Sequence, residues 1–295
     1  MELKSLAAYL ELSKPRVASL LVFAGLMGGL TGLRKGLAVS QPLGFNPIQS
    51  LVIATLALTV GIFGANAITC YIDRDIDAAM ERTRHRPLPS GRISPPEKAL
   101  YYGLALSLGS LAILAAINLY SALWFTFGLL DSTLIYNFLT KRKTAWNIVL
   151  GSPAGGAPIM VSWSAVTGQP FHLVPFLMAA LVVLWTPAHI WSLAIKYSED
   201  YRRARVPMLP TLVDFKTAAR CIASTTLLLP VFSTILGLIG EFKPPYYPIT
   251  YALNAAIIAL SLNLIVRPSK RNSWILFKFT SPYLAVLLIT IALFA

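Results

Sequence analysis

The chain has 295 residues, of which 56% are hydrophobic and 13% charged; 25 lysines and arginines against 12 acids leave a net charge of +13. That balance excludes a soluble globular domain, because apolar runs of about 18 residues or more read as membrane spans. Nine such runs succeed one another, at about 17–33, 49–72, 99–119, 121–140, 146–166, 171–195, 216–240, 245–266 and 274–294. Residues 1–295 are therefore expected to form a single all-α transmembrane domain.

The first run opens behind Lys14, Pro15 and Arg16. It has no small-residue cleavage site and the apolar pattern continues past it, so it reads as a retained helix rather than a signal peptide. Positive charge is unevenly shared along the chain. Apart from Arg34, Lys35 and Lys243, every Lys and Arg lies at the N-terminus or after the second, fourth, sixth and eighth runs. The positive-inside rule then puts the N-terminus in the cytoplasm and the C-terminus outside. Cations distributed this way follow membrane topology, so no nucleic-acid partner is expected.

The second run ends in ANAITCYIDRDIDAAMERTRHRPLPSGRIS, residues 65–94. At about 100° per residue, Asn66, Thr69, Asp73 and Asp77 fall on one narrow arc. Such a stripe is costly in lipid and should face the bundle interior or a water-filled cavity. Carboxylates one turn apart suit a divalent cation, and Arg82, Arg84, Arg86 and Arg92 suit phosphate oxygens. Asp75 points elsewhere and is expected to be solvated or paired with an arginine. Cys70 and Cys221 read as free thiols, since no disulfide or metal spacing is present.

Asp131 lies inside the fourth run, where an ionisable group is either functional or a buried acid paired with a neighbour. Tyr136 follows, one turn before Lys141, Arg142 and Lys143. The sixth run ends in LWTPAHIWSLAIKYSEDYRRARVPMLP, residues 184–210, with His189, Lys196, Asp200 and Arg203 on one face. Pro187 is expected to kink this helix and Pro207 to end the segment. His189 reads equally as a packing residue or as a ligand or proton-transfer group. Eight of the twelve acids fall in two cytoplasmic connections, about 73–98 and 196–215. Orientation does not require acids there, so that face is expected to use them.

Four stretches carry a family resemblance: YLELSKPRV at 9–17, CYIDRDIDAAMERTRHRPLPSGRISP at 70–95, YNFLTKRKTAWNIVLGSPAGGAP at 136–158 and WTPAHIWSLAIKYSEDYRRARVPMLP at 185–210. On them the chain resembles the UbiA superfamily of intramembrane prenyltransferases. The string KYSEDYRRARVPMLP resembles the heme-farnesylating branch. The quinone branch carries a second aspartate-rich motif where this chain has only Glu199 and Asp200. The resemblance implies nine helices around a central cavity, two cytoplasmic cap regions, and a place in the plasma membrane of a prokaryote. It implies Mg²⁺-dependent transfer of farnesyl from farnesyl diphosphate to a vinyl group of heme b, giving heme O for heme–copper oxidase assembly.

Site roles follow from the same resemblance. Asp73, Asp77, Tyr136, Lys141 and Asp200 form the catalytic set. Asn66, Thr69, Asp73, Asp77, Glu199 and Asp200 are the metal-ligand candidates. Arg16, Arg82, Arg86, Lys141, Arg142 and Lys196 are assigned to the diphosphate, and His189 to the heme. The Tyr136 ring face suits an allylic cation. The chain departs from the family at Thr69, where asparagine is usual, and at Arg205, where the heme branch usually has glycine. Two other readings stay open. One is prenylation of an aromatic acceptor such as 4-hydroxybenzoate on a route to a quinone. The other is a nonenzymatic lipid or ion carrier with an acidic gate.

Overall fold

A computed structural model describes residues 2–295, with side chains from residue 6 onward, so Lys4 lies outside the described side chains. Among the described residues all regular structure is helical. A short α1, Glu2–Leu12, precedes the first span, α2, Pro15–Arg34. The second span is α3, Pro47–Ile72, started by Asn46 and Gln49 in a reciprocal capping box. At Asp73 the chain turns into a short α4, Arg74–Ala79, and α5, Glu97–Ile117, returns across the bundle. Next come α6, Leu119–Leu130, and a continuing π-helix, Asp131–Thr140.

The apolar run at 146–166 does not form one spanning helix. It divides into α7, Asn147–Gly151, and α8, Pro153–Thr167, with Ser152 between them. Proline is favoured at the first position of a helix, where its missing N–H costs nothing, and Pro153 occupies that position in α8. Hydropathy is blind to that break. At 15 residues α8 falls short of the ~20 needed to span lipid alone. Every residue from Gly156 to Thr167 is buried. The chain continues through α9, Leu173–Lys196, and the short helices α10, Ser198–Arg203, and α11, Leu209–Leu212. Three long helices finish it: α12, Phe215–Gly240; α13, Tyr246–Val266; and α14, Lys270–Phe294.

Eight of these segments are long and apolar enough to cross a membrane. The protein is a multi-pass integral membrane protein, and its outer faces carry exposed aliphatic side chains such as Leu56, Leu108 and Leu238. The interior is built in two halves. Helices α2, α3, α5 and α6 pack in sequence, and α9, α12, α13 and α14 pack in a second group. Helix α8 touches α2, α3, α6 and α9, and so lies between the halves, while α14 closes the bundle against α2. Lipid gives helices no hydrophobic reason to associate, so close backbone approach must supply it. On α3 and α5 a Cβ added at Gly64 would lie 2.6 Å from the Gly103 carbonyl oxygen. The two backbones meet because neither residue has a side chain.

Candidate active site

The carboxylates at the end of α3 face inward. Asp73 is 4% and Asp77 5% exposed, and the Asp77 amide donates to the Asp73 carbonyl at 2.8 Å, which keeps them one turn apart. A cation from elsewhere meets each. Lys141, just past the π-helix, donates to Asp73 Oδ2, and Arg86 holds both oxygens of Asp77 at 3.0 and 2.9 Å. Asp73 Oδ1 is buried without a partner.

The π-helix explains how Lys141 reaches that position. Bonding from i to i+5 widens each turn to between four and five residues. Ser132, Asn137 and Lys141, spaced five and four apart, therefore stack on one side. The Asn137 side chain donates to the Ser132 carbonyl at 2.7 Å and accepts from Lys141 Nζ at 3.4 Å. On an ordinary α-helix Ser132 and Lys141 would lie about 180° apart. Tyr136 lies beneath the lysine, with Nζ 5.5 Å from its ring centroid. Its ring packs onto Gly151, where a Cβ would sit 2.7 Å from the ring. Asp131, at the start of the π-helix, accepts the Ala154 amide at 2.8 Å. It caps α8 from the neighbouring helix, since Ser152 supplies no side-chain cap.

One turn before Asp73, the polar stripe is stitched to the junction of α1 and α2. Asn66 Nδ2 donates to the Ser13 carbonyl at 2.9 Å, and Lys14 Nζ donates to Thr69 Oγ1 at 3.3 Å. Lys14 adopts a left-handed backbone, with φ 49°. Below Thr69 and Asn66 opens an apolar hollow of about 120 Å³ between α2, α3, α6 and α8, lined in part by Leu58, Ser132 and Ala157. A larger apolar hollow of about 500 Å³ lies across α8, between α6 and α9, and shares Ala157.

The second cap is joined to the first through Asp200, which is 8% exposed. Its carboxylate accepts the Glu81 and Arg82 amides at 3.1 and 3.3 Å. On the same loop Thr83 Oγ1 donates to the Asp77 carbonyl at 2.9 Å. Arg82 lies over the Tyr197 ring at 5.2 Å, and its buried Nε has no partner.

Several expected site residues stand elsewhere. Arg16 is exposed, and Lys14 reaches the polar stripe instead. Two residues apart on a helix point to different sides, so only one of them turns inward. Glu199 lies on the outer face of α10 with its side chain 79% exposed, paired with Arg202 at 3.0 Å. Its neighbour Asp200 takes the inner face, which corrects Glu199 as a metal-ligand candidate. Arg142 is engaged by Asp75 through two bonds of 2.6 Å and also donates to the Ile72 carbonyl. That clamp holds the Asp75 carboxyl below its usual range and keeps Arg142 more firmly protonated. Arg142 thus forms a surface tie between the π-helix end and the α3–α4 junction. Lys196 lies 3.9 Å above the Trp274 ring, on the α14 side of α9. His189 is sandwiched between Trp185 and Phe277, each with centroids 4.3 Å away, and Nδ1 is 3.0 Å from Thr280 Oγ1. Lys14 and Asn137 are the residues that sequence reasoning left out of the site. The first was visible as the opening of α2, and the second becomes visible only with the π-helix.

The family profile of the UbiA prenyltransferases matches residues 16–287. The chain is 44% identical to the protoheme IX farnesyltransferase of Desulforudis audaxviator, over 96% of this chain and 86% of that protein. It is 40% identical to the enzyme of the same name from Thermoplasma volcanium, over 97% and 96% of the two chains. Among solved structures, one described as digeranylgeranylglyceryl phosphate synthase superposes with a TM-score of 0.78 at 18% identity, covering 99% of this chain and 98% of that one. A UbiA homolog from Archaeoglobus fulgidus bound to GPP and Mg²⁺ gives 0.66 at 18% identity, with 96% and 99% covered. At that identity these two speak for the fold alone. Full-length identity and the family profile agree on one assignment: the chain belongs to the UbiA prenyltransferase family.

Proposed function

We propose that this chain transfers a farnesyl group from farnesyl diphosphate to a vinyl group of heme b, giving heme O, with Mg²⁺, on the cytoplasmic side of the plasma membrane. The observation that carries the donor half is the buried pair Asp73 and Asp77, each neutralised by a cation, one turn from an apolar hollow. The heme acceptor is supported by the relatives named protoheme IX farnesyltransferase. The cytoplasmic placement is supported by the charge layout and the positive-inside rule.

The donor set fits a magnesium ion. Among the described residues no three His, Cys, Asp or Glu side chains form a complete cage. Mg²⁺ is commonly held by one or two carboxylates together with substrate phosphates. Asp73 and Asp77 would hold it, with the unpartnered Asp73 Oδ1 already aimed at no protein donor. Bound there, Mg²⁺ supplies positive charge that offsets the diphosphate as it departs.

The remaining chemistry belongs to the chain. Lys141 and Arg86 exchange their carboxylates for phosphate oxygens, and Lys14 and Arg82 close around the same group. The C–O bond breaks, its electron pair leaves with the diphosphate, and an allylic cation remains against the Tyr136 ring. The terminal carbon of the vinyl group bonds to that cation. Water then adds to the inner vinyl carbon and releases a proton, leaving a hydroxyethylfarnesyl side chain. Apolar walls around the hollow keep other water away until the carbon–carbon bond has formed.

The test is a product analysis. Purified protein is incubated with farnesyl diphosphate, Mg²⁺ and either heme b or 4-hydroxybenzoate, and products are weighed by mass spectrometry. Heme O is expected, with turnover lost in Asp73→Ala at unchanged fold. Prenylated benzoate as the only product would defeat the heme assignment. Neither product, with Asp73→Ala behaving as wild type, would favour a carrier.

A further inference from the structure

A second charged cavity stands apart from the aspartate site. It has a volume of about 360 Å³ and is lined by Ser192, Ile195 and Lys196 of α9 and by Lys270, Arg271 and Trp274 of α14. None of its three cations forms an ion pair among the described residues. Ser192 is 2% exposed and its hydroxyl has no partner. Lys270 and Arg271 occupy the first turn of α14, where the helix dipole disfavours cations and favours anions. Topology accounts for positive charge on this side. It does not account for three cations converging on one cavity with a buried, unpaired hydroxyl in its wall.

A column of rings, stacked face to face, leads away from this rim, with Trp274 in the cavity lining. Lys196 covers Trp274, Trp274 stacks on Phe277 at 4.6 Å, Phe277 on His189, and His189 on Trp185. Trp185 in turn lines a small apolar cavity between α2, α9 and α14. A cationic rim at the end of an aromatic column that runs on toward the apolar interior matches an apolar molecule that carries anionic groups along one edge. Tyr197 joins the rim to the aspartate site, with Lys196 5.5 Å and Arg82 5.2 Å from its ring.

We infer that this cleft seats the acceptor porphyrin by its two propionate carboxylates, with Lys270, Arg271 and Lys196 as the cations that receive them. The inference rests on the heme reading above and names the site that reading lacks. A porphyrin held by its propionate edge presents the opposite, vinyl-bearing edge to the interior. Anionic lipid headgroups share part of this chemistry, and the experiment separates the two.

Wild type and the double variant Lys270→Ala/Arg271→Ala are reconstituted in nanodiscs of phosphatidylcholine, alone or with phosphatidylglycerol. Each is titrated with heme b and with its dimethyl ester by Soret absorbance. Heme O formation is followed in parallel at varied heme and varied farnesyl diphosphate. For wild type, the dimethyl ester binds about 10- to 100-fold more weakly than heme, as loss of charge-assisted bonds requires. The double variant binds heme nearly as weakly as the ester, with only Lys196 left to receive a carboxylate. Its KM for heme rises by the same factor, while its KM for farnesyl diphosphate stays within twofold and its thermal midpoint within about 2 °C of wild type. Heme affinity within twofold of wild type overturns the inference, as does equal weakening for heme and ester. A defect that tracks phosphatidylglycerol content assigns the cleft to lipid and overturns it too. If wild type forms heme O and the variant matches it, only the cleft assignment fails. If wild type neither binds heme nor forms heme O, the acceptor reading and the inference fall together.

Discussion

Asp200 separates two ideas about how the cytoplasmic caps work, and Asp200→Asn tests them. The carboxylate accepts two backbone amides of the loop after α4, at 3.1 and 3.3 Å. Asparagine keeps one acceptor and turns an NH₂ group toward the other amide, so one bond to a charged group is lost outright. Such bonds are worth about 1.5–3 kcal/mol. At 1.4 kcal/mol per decade that is roughly 10- to 150-fold. The released loop carries Arg82 and Thr83, which bonds the Asp77 carbonyl. We expect kcat/KM for farnesyl diphosphate to fall by about that factor, mostly through KM, with Mg²⁺ half-saturation unchanged. Tryptic cleavage after Arg82 or Arg84 should accelerate. If Mg²⁺ half-saturation instead rises tenfold or more while the loop is cut at the wild-type rate, Asp200 is a metal ligand and the anchoring argument is wrong.

Three other perturbations follow from the geometry. Lys14→Ala should lower heme O turnover by about tenfold or more, because Lys14 meets Thr69 at the site, whereas exposed Arg16→Ala should change it less than threefold. Gly151→Ala places a methyl 2.6 Å from the Tyr136 side chain, an overpacking cost of about 1–3 kcal/mol. It should lower the thermal midpoint and also reduce kcat, since the displaced ring supports Lys141; a midpoint equal to wild type would contradict the packing. Asp75 has a carboxyl pKa depressed by Arg142, so the pair's contribution is fully present above the ordinary carboxylate range and is lost as pH falls through the lowered value. Asp75→Asn should therefore flatten the fall in stability below about pH 4, and at pH 7 the exposed pair is worth only about 1 kcal/mol or less. Thermal melts across pH 3–7 measure both.

The membrane spans and the Asn66-Thr69-Asp73-Asp77 stripe were legible because hydropathy and the 100° rule report on burial directly. The same rule cannot bring Lys141 to the side of Ser132, since it assumes an α-helix and residues 131–140 form a π-helix. It also had no means of seeing the break at Ser152, because Pro153 is as apolar as its neighbours and fits a helix start. Charge pairing was half legible. Asp75 was expected to be solvated or paired with an arginine and Arg142 to meet a diphosphate, and only the folded chain joins the two. Glu199 and Asp200 are equal as letters; the helix turns one toward the loop and the other to solvent.

The position of α8 restricts how the two hollows can change. Ala157 forms part of the lining on both sides of it, toward α3 and toward α9. A bulkier side chain at that point subtracts room from two chambers at once, so neither can be resized there by itself. Independent tuning of either compartment has to come from residues on the outer helices, such as Leu58 on one side and Ala180 on the other.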